Sequence, residues 1–192
     1  RPFQGGFVAV SLAEISFISD LIKTRTIGLL ELRIYFADLR GRYLQLHTSI
    51  DEIEHALGTY VDPTRFKNAY SSLNEKLALI KPKKGDKRLM PRYICYELAH
   101  KCSLAEAIVV LAACAQYNTQ YNYIFNLCPP YLAKMGNLSD RIVRKAIARL
   151  RKEEMITRVF TPMETIRCKG AGYKWRYMTY YRKKEKTRGY KI

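Results

Sequence analysis

Four apolar positions in the first half of the chain return 77 residues later: Phe66 as Val143, Tyr70 as Ile147, Leu73 as Leu150 and Leu79 as Ile156. Gly58 answers to Gly136, with one residue fewer in the second turn. A period of this size is that of a domain, so it means two related units side by side, not a stacked solenoid. The 192 residues are enough for two small domains that bury a real core. A hydrophobic share of 48% and an aromatic share of 12% place both units in the folded, globular class. The junction near Ala99 to Cys102 is too short to let the units tumble freely, so a fairly rigid pair is expected.

The second unit contains the most lopsided stretch. Ser139 is a natural N-cap, and Asp140 places a carboxylate in the first turn, where the helix dipole favours it. Ile142, Val143, Ala146, Ile147 and Leu150 then form one apolar stripe at helical spacing. The opposite face carries Arg141, Arg144, Lys145, Arg149, Arg151 and Lys152, interrupted only by the small Ala148. A helix of this kind packs on one side and offers cations on the other. A basic helix face is commonly just solvated; the repeat of the same pattern earlier in the chain is what argues for more here.

Taken in order, residues 1–10 read as irregular, tethered by Phe3 and Phe7. Ser11-Leu-Ala-Glu14 is a capping box that opens a short helix with Leu12, Ile15, Ile18, Leu21 and Ile22 on its apolar side. That helix either pads a core or contacts a second copy. A longer helix follows from Thr26 to Tyr43, then a short strand at Leu44–His47. A second capping box at Ser49–Glu52 opens a helix closed by Gly58, and Pro63 starts the next, which runs to about Lys76 on Phe66, Tyr70 and Leu73. Leu79 begins a strand, Lys83–Arg88 forms a basic hairpin tip and Arg92–Leu98 returns as the partner strand. The order then recurs: a third capping box at Ser103–Glu106 opens an apolar helix through Tyr117, followed by a strand at Tyr123–Leu127, a short helix at Pro129–Gly136, the basic helix, and a strand from Met155 to Phe160. Thr161–Gly172 is the connecting loop, with Lys169–Gly172 near its tip, and Tyr173–Tyr181 is the return strand. The expected fold is therefore mainly α with small β hairpins, an α+β class. The expected divisions are an extension over 1–25, units over 26–100 and 101–181, and a basic tail over 182–192.

Charge narrows the partner. The net charge is +17, from 34 basic and 17 acidic residues, and it is uneven. Residues 1–100 hold 15 Lys/Arg against 11 Asp/Glu (+4), and residues 101–192 hold 19 against 6 (+13). That excess suits a polyanion, bound with an affinity that falls steeply with salt. No run of 18 apolar residues is present, and no amphipathic stretch has a large apolar face free to insert into lipid, so a membrane partner is not expected. No signal-peptide pattern opens the chain at Arg1. Cys95, Cys102, Cys114, Cys128 and Cys168 form no CxxC pair and no Cys/His ligand spacing, which points to reduced thiols and no metal. The expected location is cytoplasmic, in association with the nucleoid.

The elements Ile-x-x-x-Leu-Gly (53–58), a turn, and a helix ending Leu-Asn-Glu-Lys-Leu-Ala-Leu-Ile (73–80) resemble the winged helix-turn-helix family, as does Leu-Arg-Lys-Glu-Glu-Met-Ile (150–156). The likeness covers about 26–181. Two such domains in tandem, the second more basic, look like the initiator proteins of iteron plasmids and related phage replication proteins; this part of the likeness rests on the tandem arrangement. The resemblance implies two tandem winged helix-turn-helix domains that each put a third helix in the major groove and a wing along the backbone. It implies double-stranded DNA as partner, with replication proteins or a second copy of the chain beside it. Arg pairs with guanine and Asn or Gln with adenine. On the second reading helix, Arg141 and Arg144 are placed for bases, while Arg149 and Lys152 are placed for phosphate and Lys145 lies between them. On the first, Arg65, Lys67 and Asn68 share the exposed face with Thr64 and Ser71, a surface that is less charged and richer in hydrogen-bonding groups. The wing tips supply Lys83, Lys84, Lys87 and Arg88 in one unit and Arg167, Lys169 and Lys174 in the other, for phosphate contact or merely as guards against edge pairing. The run Arg182–Arg188 adds non-specific affinity. Tyr173, Trp175, Tyr177, Tyr180 and Tyr181 either stack on bases or line the sheet and core.

An enzyme is hard to build from these residues, and none is expected. His47, His55 and His100 are scattered and give no His-x-His metal pair near a tyrosine; Lys83-Lys-Gly-Asp lacks the frame of a phosphate-binding loop; Glu153 and Glu154 point to different sides of their helix. No cofactor is expected. The reading is a sequence-specific duplex-binding replication initiator at origin repeats. The alternatives are a transcriptional regulator that binds an operator as a dimer, and a DNA-bound protein in which the first unit docks a partner.

Overall fold

The computed structural model describes residues 6–42, 48–81, 86–116, 125–158 and 173–177. Helices dominate, with two small antiparallel sheets, as the α+β class requires. The first half runs β1 (Phe7–Ser11), α1 (Leu12–Lys23), α2 (Leu29–Gly41), α3 (Ile50–Leu57) and α4 (Pro63–Leu77). The second runs β2 (Lys87–Pro91), α5 (Arg92–His100), α6 (Leu104–Gln116), β3 (Phe125–Leu127), α7 (Pro129–Gly136), α8 (Asp140–Lys152), β4 (Ile156–Arg158) and β5 (Tyr173–Tyr177).

Local chemistry explains most of these boundaries. Ser49 and Glu52 cap α3 reciprocally, the Ser49 Oγ accepting from the Glu52 amide at 3.2 Å and the Glu52 carboxylate from the Ser49 amide at 3.0 Å. Gly58 ends that helix at φ +65°, a left-handed conformation that glycine adopts without steric cost. Pro63 opens α4, where its missing N–H costs nothing, and Asp62 caps the Arg65 amide. At the end of α7 the left-handed residue is Asn137, at φ +50°, so Gly136 does not close the helix as its match with Gly58 implies. Gly136 has a packing reason instead: a Cβ there would come within 2.8 Å of the Ile108 side chain.

The two halves do exchange parts. Strand β1 pairs antiparallel with β2 in the register Phe7↔Pro91 through Ser11↔Lys87, centred on Ala9↔Leu89. Each strand leads directly into a helix that packs on the other half: α1 lies on α6 and α7, and α5 lies on α2 and α3. Guanidinium groups seal both exchanges. Arg33 in α2 donates to Leu57 O (2.7 Å) and Ala99 O (2.8 Å), joining the ends of α3 and α5. Arg25, beyond α1, donates to Gly136 O (3.3 Å) and Asn137 O (2.7 Å) at the end of α7. One buried cluster, from Val8 and Ile18 through Phe36, Ile108 and Leu150 to Tyr177, runs through both halves.

This arrangement overturns three expectations. Residues 7–10 are a strand and not irregular, since Val8 and Val10 are buried on alternate positions while Phe7 and Ala9 face outward. Residues Arg92–Leu98 form helix α5, not a return strand; Ile94, Cys95, Leu98 and Ala99 fall on one helical face and are fully buried against α2. Leu79 does not begin a strand: it sits in a turn after α4 and is 71% exposed, so its match with the buried strand residue Ile156 fails. The strand at Leu44–His47 lies outside the described residues. Helix α1 settles its own alternative by padding the core against α6 and α7.

Candidate nucleic-acid interface

Helices α6, α7 and α8 pack on one another, and a three-stranded antiparallel sheet in the order β3-β5-β4 closes their edge. β5 pairs with β3 through Phe125↔Trp175 and Leu127↔Tyr173, and with β4 through Ile156↔Tyr177. Trp175 and Tyr177 are buried, and the Tyr177 ring lies 4.8 Å from that of Phe125, so these two aromatics serve the core. Tyr180 and Tyr181 lie outside the described residues.

Helix α8 presents its charge as the residue spacing requires. Val143, Ala146, Ile147 and Leu150 are buried, while Arg141, Arg144, Lys145, Ala148, Arg151 and Lys152 are exposed. Among the described residues Arg141, Lys145 and Lys152 make no ion pair, and with Ala148 they occupy the middle of the outward face. Arg144 is held differently: its Nε donates to Asp140 Oδ2 at 2.6 Å, one turn back. Arg149 is half-buried and its Nη1 lies 2.7 Å from Glu106 Oε1 on α6, which makes it an anchor of α8 as well as a cation at its margin. Ile142, expected in the apolar stripe, is 49% exposed and stands beside the cations.

The anchor has a counterpart in the first half. Glu106 and Glu31 each sit three residues after an N-cap, and each spends one oxygen on the cap's amide: Ser103 N at 2.9 Å, Gly28 N at 2.7 Å. The other oxygen of each holds the third helix of its own unit, through Arg149 in one case and through Lys76 Nζ in the other. Burial pushes the Glu31 carboxyl up, but the Gly28 amide, Lys76 and Ser72 together outweigh it and hold the group below the usual glutamate range. The capping-box spacing predicts the first contact of each glutamate; nothing local in the sequence signals the second. Glu14, in the box at Ser11–Glu14, goes elsewhere: its carboxylate meets Arg42 Nη1 at 2.8 Å.

On α4, Arg65, Lys67 and Asn68 are all exposed, with Phe66 and Leu73 buried behind them. The predicted first wing is absent from the described residues as a pair of adjacent strands. Lys87 and Arg88 belong to β2, which pairs with β1, so they do not tip a hairpin. Lys87 is exposed there, while Arg88 turns inward and its Nε donates to Ala115 O at 3.1 Å at the end of α6. Arg88 is therefore a structural residue. Lys83, Lys84, Arg167 and Lys169 lie outside the described residues, and Lys174 is placed only by its backbone, opposite Asn126 in the sheet.

Three thiols complete the electrostatics. Burial pushes the Cys95 thiol up to about 12 and raises Cys102 and Cys114 as well, so these thiols stay protonated and unreactive near neutral pH. Among the described residues no cluster of His, Cys, Asp and Glu could hold a metal ion, and no helix is long and apolar enough to cross a membrane. No protein-family model, curated protein or solved structure matches the chain.

Proposed function

We propose that this chain is a sequence-specific double-stranded DNA-binding protein of two related helix-turn-helix units, the second of them winged, acting as a replication initiator at repeated origin sites. The observation that carries the reading is α8: an outward face of Arg141, Lys145 and Lys152 around the small Ala148, on a rod whose other side is locked into the core. Cations on a convex helix meet the phosphates that flank a major groove, and a small residue at the centre of the face lets the helix sit deep. The sheet order β3-β5-β4 supports the same reading, since an antiparallel β4–β5 ribbon that follows the helix in the chain is what a wing requires. Helix α4, with Arg65, Lys67 and Asn68 exposed, supports a second reading surface of lower charge.

Selection of bound sequences from a random duplex pool at two salt concentrations tests this. The expected result is a defined site whose copies the protein binds as direct repeats. Enrichment of inverted repeats instead would make the chain an operator-binding regulator. Enrichment of no sequence at low or high salt would end the reading.

A further inference from the structure

The two reading helices differ most sharply at one shared position. Arg65 and Ile142 lie 77 residues apart, and each is the third residue after its N-cap. Both amides are fixed by the cap side chain, Arg65 N by Asp62 Oδ1 at 2.9 Å and Ile142 N by Ser139 Oγ at 3.3 Å. Both side chains point outward from the first turn, the part of a reading helix that meets base edges. One is a guanidinium. The other is a β-branched hydrocarbon, 49% exposed beside the exposed cations Arg141 and Lys145.

The core does not require Ile142, because Val143, Ala146, Ile147 and Leu150 already fill the interior side of α8. Ile142 also stands alone: its outward-facing neighbours Arg141 and Lys145 are charged, which suits a polyanion and not an apolar protein surface. In the major groove only thymine presents a methyl group, and apolar side chains recognise it by excluding water. We propose that Ile142 determines specificity by packing on the 5-methyl group of a thymine, at the position where Arg65 of the other unit offers paired donors to a guanine. The inference rests on the duplex-reading function proposed above. It makes the two half-sites chemically unlike, although the units that read them are related.

The test replaces each thymine of the selected duplex, one at a time, by deoxyuridine, which removes the methyl group and leaves every hydrogen bond. Against the unmodified chain, one or two replacements should weaken binding by about three- to fivefold, the effect of one buried methyl group. Ile142→Ala should bind the unmodified duplex several-fold less tightly and show no penalty at those same positions, while Ile142→Val keeps part of it. Thermal melting of both variants close to that of the unmodified chain shows that the fold is intact. Equal penalties in the chain and in Ile142→Ala, or no thymine whose methyl matters, would overturn the assignment of Ile142 alone. Failure to enrich any duplex would overturn it together with the DNA-binding reading.

Discussion

Helices α4 and α8 carry apolar positions that match at a spacing of 77 residues, and each is pinned from an earlier helix, but they are not held or armed alike. Each is pinned by a glutamate that also caps the first helix of its unit, Glu31 for α4 and Glu106 for α8. The pin on α4 is a lysine near its end, Lys76; the pin on α8 is Arg149, which also borders the outward face. The faces diverge further: α4 exposes Arg65, Lys67 and Asn68, whereas α8 exposes five cations and one isoleucine. A planar guanidinium can bond both Glu106 and a neighbouring group, and an ammonium acts as a point charge. The plan of the unit thus tolerates change in the electrostatics of its outer helix, provided the inner glutamate keeps a cation.

The largest difference should appear in DNA binding. Changing Arg141, Lys145 and Lys152 together to Ala removes from α8 three cations that make no ion pair among the described residues. The slope of log affinity against log salt should fall by about 3, with an affinity loss on the order of 100-fold at low salt. Changing Arg65 and Lys67 on α4 should lower that slope by no more than about 2 and relax sequence preference more than it lowers affinity. Equal slopes from the two sets would erase the contrast between the helices.

What could be read from the sequence follows from how local each signal is. Helices α3, α4, α7 and α8 are declared by neighbouring caps, by Pro63 and Gly58, and by stripes such as Phe66–Leu73 and Val143–Leu150. The β1–β2 pair is not, because its partners are 76 to 84 residues apart and each alone is a run of five residues. Tyr93, Ile94, Cys95 and Tyr96 read as strand because aromatic and β-branched residues favour one. Burial against α2 decided for the helix α5, and tertiary packing overrides weak propensity. The same error displaced Arg88 from a wing tip to the carbonyl of Ala115. On α8 the cations were legible from their helical spacing alone. The exposure of Ile142 was not, since it lies at the edge of the stripe, where a helical pattern does not distinguish inside from outside.

The anchors supply the next difference. Arg149→Ala leaves the Glu106 carboxylate, 3% exposed, without its cation and should lower stability by about 1–3 kcal/mol in denaturant unfolding. Lys76→Ala should cost less, because the Glu31 carboxylate it leaves behind is nearer solvent than that of Glu106, the side chains being 12% against 4% exposed. Adding Glu106→Gln to Arg149→Ala should restore part of the stability, and the double-mutant cycle isolates the pair. If Arg149→Ala melts like the unmodified chain while DNA affinity falls, Arg149 is a phosphate contact only and the parallel between the two anchors is lost.

The smallest effect is the response of the α4 anchor to acid. The folded Glu31 carboxyl lies below its usual range because the Gly28 amide, Lys76 and Ser72 outweigh its burial. A depressed folded value means that the unfolded chain binds the proton first, so the stabilisation is complete above the unfolded value, about 4.3, and fades as pH falls through the folded one. The loss should amount to tenths of a kcal/mol, the scale of a partly exposed ion pair. Hydrogen exchange should report it in the amides of α4, which lose their tether, and at the Gly28 amide, which loses its carboxylate acceptor, before the buried middle of α2. Glu31→Gln should make α4 exchange at neutral pH as the unmodified chain does in acid and should flatten the acid dependence of α4 between pH 5 and 3. An acid dependence of α4 that survives Glu31→Gln would assign the effect to another carboxylate and leave the Lys76 contact without a role in holding the helix.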